Sequence, residues 1–306
     1  MALFDFRAKP ETAAPVAPGL ADLLDGYSIE VTPPTAARIA DFRDHLPAGA
    51  RVYIAHVDGT GIDDMVATAR ILRDQGFEPM PHFVARTIPG PAALADRIRR
   101  YRAEAGVTQG LILAGGSATP RGDYRSSMQL LETGFFDDAG FTHLHVAGHP
   151  EGNRDIDPDG GEAEAMAALK WKQDHADRTD AEMAIVTQFA FRAGPVVAWA
   201  DRLARAGISM PVHLGVAGPA RLQTLLKFAI ACGVGASLSV LQGRARDVSR
   251  LLLPFEPRDI LTELAAARAE GRARNIERIH FFPFGGVAAT AAFAAAHGRP
   301  AAVAAP

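Results

Sequence analysis

Eight short, almost wholly apolar runs recur along this chain, at residues 28–31, 51–56, 79–85, 110–116, 143–149, 182–189, 211–217 and 278–284. Each has the length of a strand and is mostly apolar on both faces, as a parallel strand buried on both sides must be. The segments between them carry apolar residues at helical spacing. In PAALADRIRRYRAEA, residues 91–105, Leu94 and Ile98 share one stripe and the arginines occupy the other. Residues 194–207 and 220–233 behave alike, and both end in a glycine that stops a helix. Eight strand–helix repeats without a break in composition have one simple closed solution, the (β/α)8 TIM barrel, which takes about 250 residues. The expected fold class is therefore α/β, one barrel domain over residues 21–300. A Pro- and Ala-rich leader (1–20) and a short tail (301–306) flank it. The longest gap between runs, before the eighth, holds extra helical sequence at about 244–272. A doubly wound open sheet shares the alternation, but no G-x-G-x-x-G follows the first run.

Composition narrows the functional classes. A chain of 306 residues, 48% hydrophobic, can bury a sizeable core without covalent staples. A net charge of -3 gives no reason to expect a nucleic-acid or anionic-membrane partner. Cys232 is the only cysteine, which excludes disulfide scaffolds, thiolate zinc sites and iron–sulfur clusters. No apolar run approaches the roughly 18 residues of a spanning helix. Asp5 and Arg7 interrupt the N-terminus where a signal peptide needs apolar sequence. A cytoplasmic protein is expected.

In such a barrel the chemistry sits at the carboxyl ends of the strands. Polar groups collect there: Glu30 in the first run, His56 and Asp58 after the second, His82 in the third. Gly115, Gly116 and Ser117 close the fourth, His149 and Glu151 the fifth, and Gln188 lies near the end of the sixth. Inside apolar runs such groups are costly unless something bonds them. Glu30 is the most informative, because Pro33 and Pro34 end the strand just after it. In an apolar pocket its pKa should rise, making it a proton donor near neutrality; pairing with an arginine would instead make it structural. The small-residue loops 115–117 and 215–219 would let a ligand approach backbone closely, or serve only as tight turns. His143 and His145 share a strand face, yet lie at the wrong end of the barrel for a catalytic metal pair. No G-x-S-x-G, H-E-x-x-H or phosphate-loop pattern is present. Trp171 and Trp199 read as packing residues.

Taken in order, E-V-T-P-P (30–34), P-H-F (81–83), L-A-G-G (113–116), V-A-G-H-P-E-G (146–152), L-K-W-K (169–172) and I-V-T-Q-F (185–189) resemble the methylenetetrahydrofolate reductase family over roughly residues 28–300. The resemblance implies a (β/α)8 flavoprotein, usually oligomeric. Its members take hydride from NAD(P)H onto FAD and pass it to 5,10-methylenetetrahydrofolate, giving 5-methyltetrahydrofolate. It implies Glu30 as the acid that opens the folate ring and Gln188 as the amide that binds the pterin. His56, His82, Gly115, Gly116, Ser117, His149, Asn153 and Lys172 would contact the flavin, Lys172 facing its phosphates. It further implies a small-molecule folate substrate, NAD(P)H as co-substrate and a homo-oligomer.

The sequence also departs from the family pattern. Gly115-Gly116-Ser117 stand where the family has Arg-Gly-Asp, leaving Asp123 as a substitute from the loop. Ala168 and Trp171 replace an Asn and an Arg, His149 a Tyr, Asn153 a His, and Gly285-Gly286 an Asn-Arg. So many altered flavin contacts admit a flavin-free reductase with direct hydride transfer. They equally admit a pterin-binding methyltransferase-type barrel or a non-catalytic relative.

Overall fold

The computed structural model describes residues 19–57, 59–231 and 254–299. Most of the expected leader, the tail, Asp58, Cys232 and the stretch 232–253 lie outside them. The eight runs become eight parallel strands, β1 Ser28–Val31, β2 Arg51–Ile54, β3 Glu78–Val84, β4 Gln109–Leu113, β5 His143–Gly148, β6 Glu182–Ala190, β7 Val212–Ala217 and β8 Ile276–Phe282. They pair in chain order and close, β8 onto β1, into the expected (β/α)8 barrel.

Eleven helices accompany the strands among the described residues: α1 Leu20–Leu24, α2 Pro33–Ala36, α3 Ile62–Asp74, α4 Pro91–Ala105, α5 Ser127–Leu131, α6 Phe135–Asp138, α7 Ala163–Ala176, α8 Ala193–Arg205, α9 Leu222–Ala231, α10 Arg258–Ala269 and α11 Val287–His297. Helix α10 falls in the long gap before β8, where extra helical sequence is expected. Leu20, expected in the leader, is buried at the start of α1. Leu94 and Ile98 on α4 face the core as their spacing predicts, and Trp199 is buried on α8. The E-V-T-P-P segment explains its own geometry. Thr32 leaves the strand in extended conformation, its hydroxyl accepts the Thr35 N–H, and Pro33 occupies the first helical position of α2.

Alternate strand residues divide the core in two. Ile29, Val31, Val52 and Ile54 pack outward beneath the helices. Inside the barrel, the apolar filling is a small cluster of Tyr53, Met80, Leu111 and Val186. Around it the interior is polar, with Ser28, His145, His213 and His280 all buried. This departs from the layers of branched aliphatic residues that usually fill such barrels.

One irregularity sets the upper rim. On β6, Val186 pairs with His213 of β7, but the next pair is Phe189 with Gly215, so β6 carries an extra residue. The Thr187 hydroxyl stabilises this bulge by accepting the Gly215 N–H at 2.9 Å and donating to the Gln188 carbonyl at 2.7 Å. A bulge re-aims the side chains beside it.

Candidate active site

Glu30 lies at the mouth formed by the carboxyl ends of the strands, with 18% of its side chain exposed. Its Oε2 is 3.1 Å from Nε2 of His82 on β3 and 3.9 Å from Nε2 of His280 on β8. Both imidazole nitrogens are buried, and neither makes a well-aligned hydrogen bond. The partners are imidazoles, not an arginine. The expectation of a raised pKa is overturned here. Burial does push the Glu30 carboxyl up, but contacts with His280 and His82 outweigh it and bring the group down to about 2. The carboxylate is ionised at neutral pH. Burial pushes His280 down despite Glu30 beside it. His280 is therefore neutral, with Nδ1 2.9 Å from the Ser28 hydroxyl. If Nε2 carries the proton toward the carboxylate, Ser28 donates to Nδ1.

A second polar group forms where β5 and β6 end. His149 follows β5 and contacts Gln188 of the bulge. Its pKa falls to about 4, through burial first and then the neighbouring ammonium of Lys172, against the Gln188 contact. Lys172, on α7, is buried, and desolvation lowers it to about 8. Among the described residues its ammonium has no hydrogen bond or ion pair.

Phenylalanines line the mouth between β6 and β8. The rings of Phe282 and Phe284 are nearly parallel with centroids 5.9 Å apart, and Phe284 stacks on Phe228 of α9 at 4.3 Å. Phe189 meets Phe282 edge-on, and the His280 ring lies 4.8 Å from Phe282. A flat heterocycle would find aromatic faces beside the Glu30 carboxylate.

The eight positions that the resemblance assigns to FAD do not assemble a flavin cradle among the described residues. His82 is committed to Glu30. The Ser117 hydroxyl donates to the Thr119 carbonyl, and the Asn153 side chain accepts the Asp155 N–H in its own turn. Gly115 has φ 90°, and a Cβ there would lie 2.4 Å from Val84 Cγ1, so its smallness answers to packing. Gly116 is exposed, and His56, partly buried after β2, is held by other contacts. Only His149, whose Nδ1 is buried without a partner, and Lys172 keep polar capacity for a diphosphate. Among the described residues the expected set does not fit the flavin, and no step below passes through one. Asp123 is exposed on its loop.

Other expectations are also corrected by the structure. Residues 215–217, expected in a small-residue loop, belong to β7. There Gly215 is required by the bulge: a Cβ would lie 2.4 Å from the Thr187 carbonyl oxygen and 2.7 Å from that of Gln188. His143 and His145 separate in role. His145 sits in the barrel interior against the Tyr53 hydroxyl, while His143 is 3.5 Å from Glu182. No three metal-ligating side chains converge among the described residues. Sequence reasoning missed His280, Ser28, Tyr53 and the phenylalanine wall. A polar signal was present, since His213 and His280 interrupt apolar runs as His82 does.

No protein family's sequence profile matches the chain. Among solved structures, an uncharacterized protein from Clostridium thermocellum that binds two copies of 5-methyl-5,6,7,8-tetrahydrofolic acid is similar, with a TM-score of 0.52 over 89% of this chain and 96% of that one. The two are 12% identical, so the likeness is one of fold. No helix among the described residues is long and apolar enough to cross a membrane.

Proposed function

We propose that this protein binds a reduced folate at the mouth of its barrel and interconverts the 5,10-methylene and 5-methyl forms, with NAD(P)H exchanging hydride directly with the one-carbon unit. The observation that carries this reading is the Glu30 carboxylate, set between two imidazoles beside the aromatic wall. A barrel of the same fold that binds methyltetrahydrofolate supports the choice of ligand class.

Opening the five-membered ring of methylenetetrahydrofolate requires a proton on the departing nitrogen and leaves an iminium that accepts hydride. Glu30 with His82 forms the acid. In the free protein the Glu30 carboxyl is ionised, but a bound ligand covers its exposed remainder and strengthens the burial that favours a proton there. The proton then moves to the carboxyl and on to the substrate. In the oxidative direction the same carboxylate accepts it. Gln188, aimed by the bulge, offers an amide that can both donate to and accept from a pterin edge. The phenylalanines hold the ring flat and exclude water.

Isothermal titration with 5-methyltetrahydrofolate, and NAD(P)H oxidation dependent on methylenetetrahydrofolate, test the reading directly. Glu30→Gln is expected to lower turnover by about a hundredfold or more while leaving folate binding largely intact. The purified protein is expected to be colourless; a visible flavin band would overturn direct transfer. Failure to bind reduced folate would overturn the whole assignment. The ionised state of Glu30 also favours a second reading, a barrel that holds methyltetrahydrofolate for transfer to another acceptor. Folate binding without NAD(P)H turnover selects it.

A further inference from the structure

Behind Glu30 a line of polar side chains continues into the barrel. His280 Nδ1 is 2.9 Å from the Ser28 hydroxyl, the Tyr53 hydroxyl lies beside Ser28, and Tyr53 is 2.5 Å from His145 Nδ1. The residues come from β8, β1, β2 and β5, and each is at most 3% exposed. Every one of these groups is costly to bury and gains only about 1 kcal/mol net from each hydrogen bond. Aliphatic residues fill such interiors at less cost. Each member can both donate and accept a proton, and together they touch the Glu30 site at one end only.

We infer that His280, Ser28, Tyr53 and His145 form a proton relay that recharges Glu30 from inside the barrel while a bound ligand covers the mouth. One proton enters at His145 Nε2. His145 releases its Nδ1 proton to the Tyr53 oxygen as Tyr53 passes its own to Ser28. Ser28 passes its proton to His280 Nδ1, and His280 releases its Nε2 proton to Glu30 Oε2. One proton enters, one leaves, and only N–H and O–H bonds change. The Tyr53–Ser28 step and the last gap, 3.9 Å, close with small rotations of the hydroxyls and the carboxylate. The shifts are concerted, because burial disfavours an ionised Tyr53.

The surrounding charges give the relay a direction. The guanidinium of Arg51 faces both Tyr53 and His145, that of Arg278 faces Tyr53, and the two disfavour an extra proton there. Glu30, with His82 beside it, attracts the proton at the other end. The inner end approaches solvent through His143, whose ring is 6.4 Å from His145 and whose side chain is 26% exposed.

The relay's role in turnover rests on the proposed folate chemistry, whereas its proton states can be read on the ligand-free protein. In 15N spectra of histidine-labelled protein, Tyr53→Phe is expected to shift the ring nitrogens of both His145 and His280; a shift of His145 alone would overturn the relay. In turnover, Tyr53→Phe and Ser28→Ala should lower kcat by about a hundredfold and raise the solvent isotope effect. The first turnover should stay fast, and Ser28→Thr, which keeps the hydroxyl, should retain kcat. Equal slowing of first and later turnovers would point to a structural role and overturn the relay. A protein that turns over no folate refutes the folate reading, and the nitrogen spectra still decide the relay.

Discussion

Acidification should unfold this barrel early, through its buried neutral imidazoles. Burial is the first cause that lowers His145, His149 and His213; His149 is brought to about 4, His213 to about 3, and His145 well below its ordinary value of 6.5. Below pH 6.5 the unfolded chain therefore takes up protons that the native protein refuses. Stability is complete above that pH and falls as pH drops toward the folded values. Between about pH 7.5 and pH 5.5, each such imidazole removes roughly 1.4 kcal/mol. The three together remove about 4 kcal/mol, a large share of the 5–15 kcal/mol typical of a domain. Urea denaturation followed by circular dichroism at several pH values measures the slope, expected to correspond to about three protons or more near pH 5.5, since burial also lowers His280. His213→Gln should reduce that uptake by about one proton. A slope below one proton would refute the argument, because the interior imidazoles would then be protonated or solvated in the native state.

Gly215→Ala should destabilise the protein by about 1–3 kcal/mol, since its Cβ would collide with two carbonyl oxygens of the bulge. It should also weaken reduced-folate binding along with Gln188→Ala, about tenfold each by calorimetry, as expected for one lost hydrogen bond; unchanged affinity in both would remove Gln188 from the site. Lys172→Met should stabilise the protein by about 1–3 kcal/mol at neutral pH, because burial lowers the ammonium from 10.5 to about 8. That penalty is full below pH 8 and vanishes above 10.5, so the gain should disappear in alkali; a loss of stability in urea titrations at pH 7 would reveal a partner for Lys172.

The barrel was legible from local pattern alone. Strand length, two-sided apolarity and intervening helical stripes are each set within a dozen residues, and closure follows from their number. Glu30 could also be located as a carboxylate at the end of the first strand, because Thr32, Pro33 and Pro34 terminate that strand by their own chemistry. Its protonation could not be read this way. An apolar neighbourhood argues for a raised pKa, and only His82 and His280, brought in from other strands, reverse the sign.

The same distinction separates the rest of the site. A bulge needs two strands, so Gly215 reads as a loop glycine until β7 is laid beside Thr187. Ser28 and His280 are 252 residues apart, and Tyr53 and His145 are 92 apart. No local spacing announces such contacts. What the amino-acid order determined by itself was the architecture and the rim on which polar groups would gather. The closed barrel alone decided where their protons rest, because that depends on burial and charge supplied by residues far away in the chain.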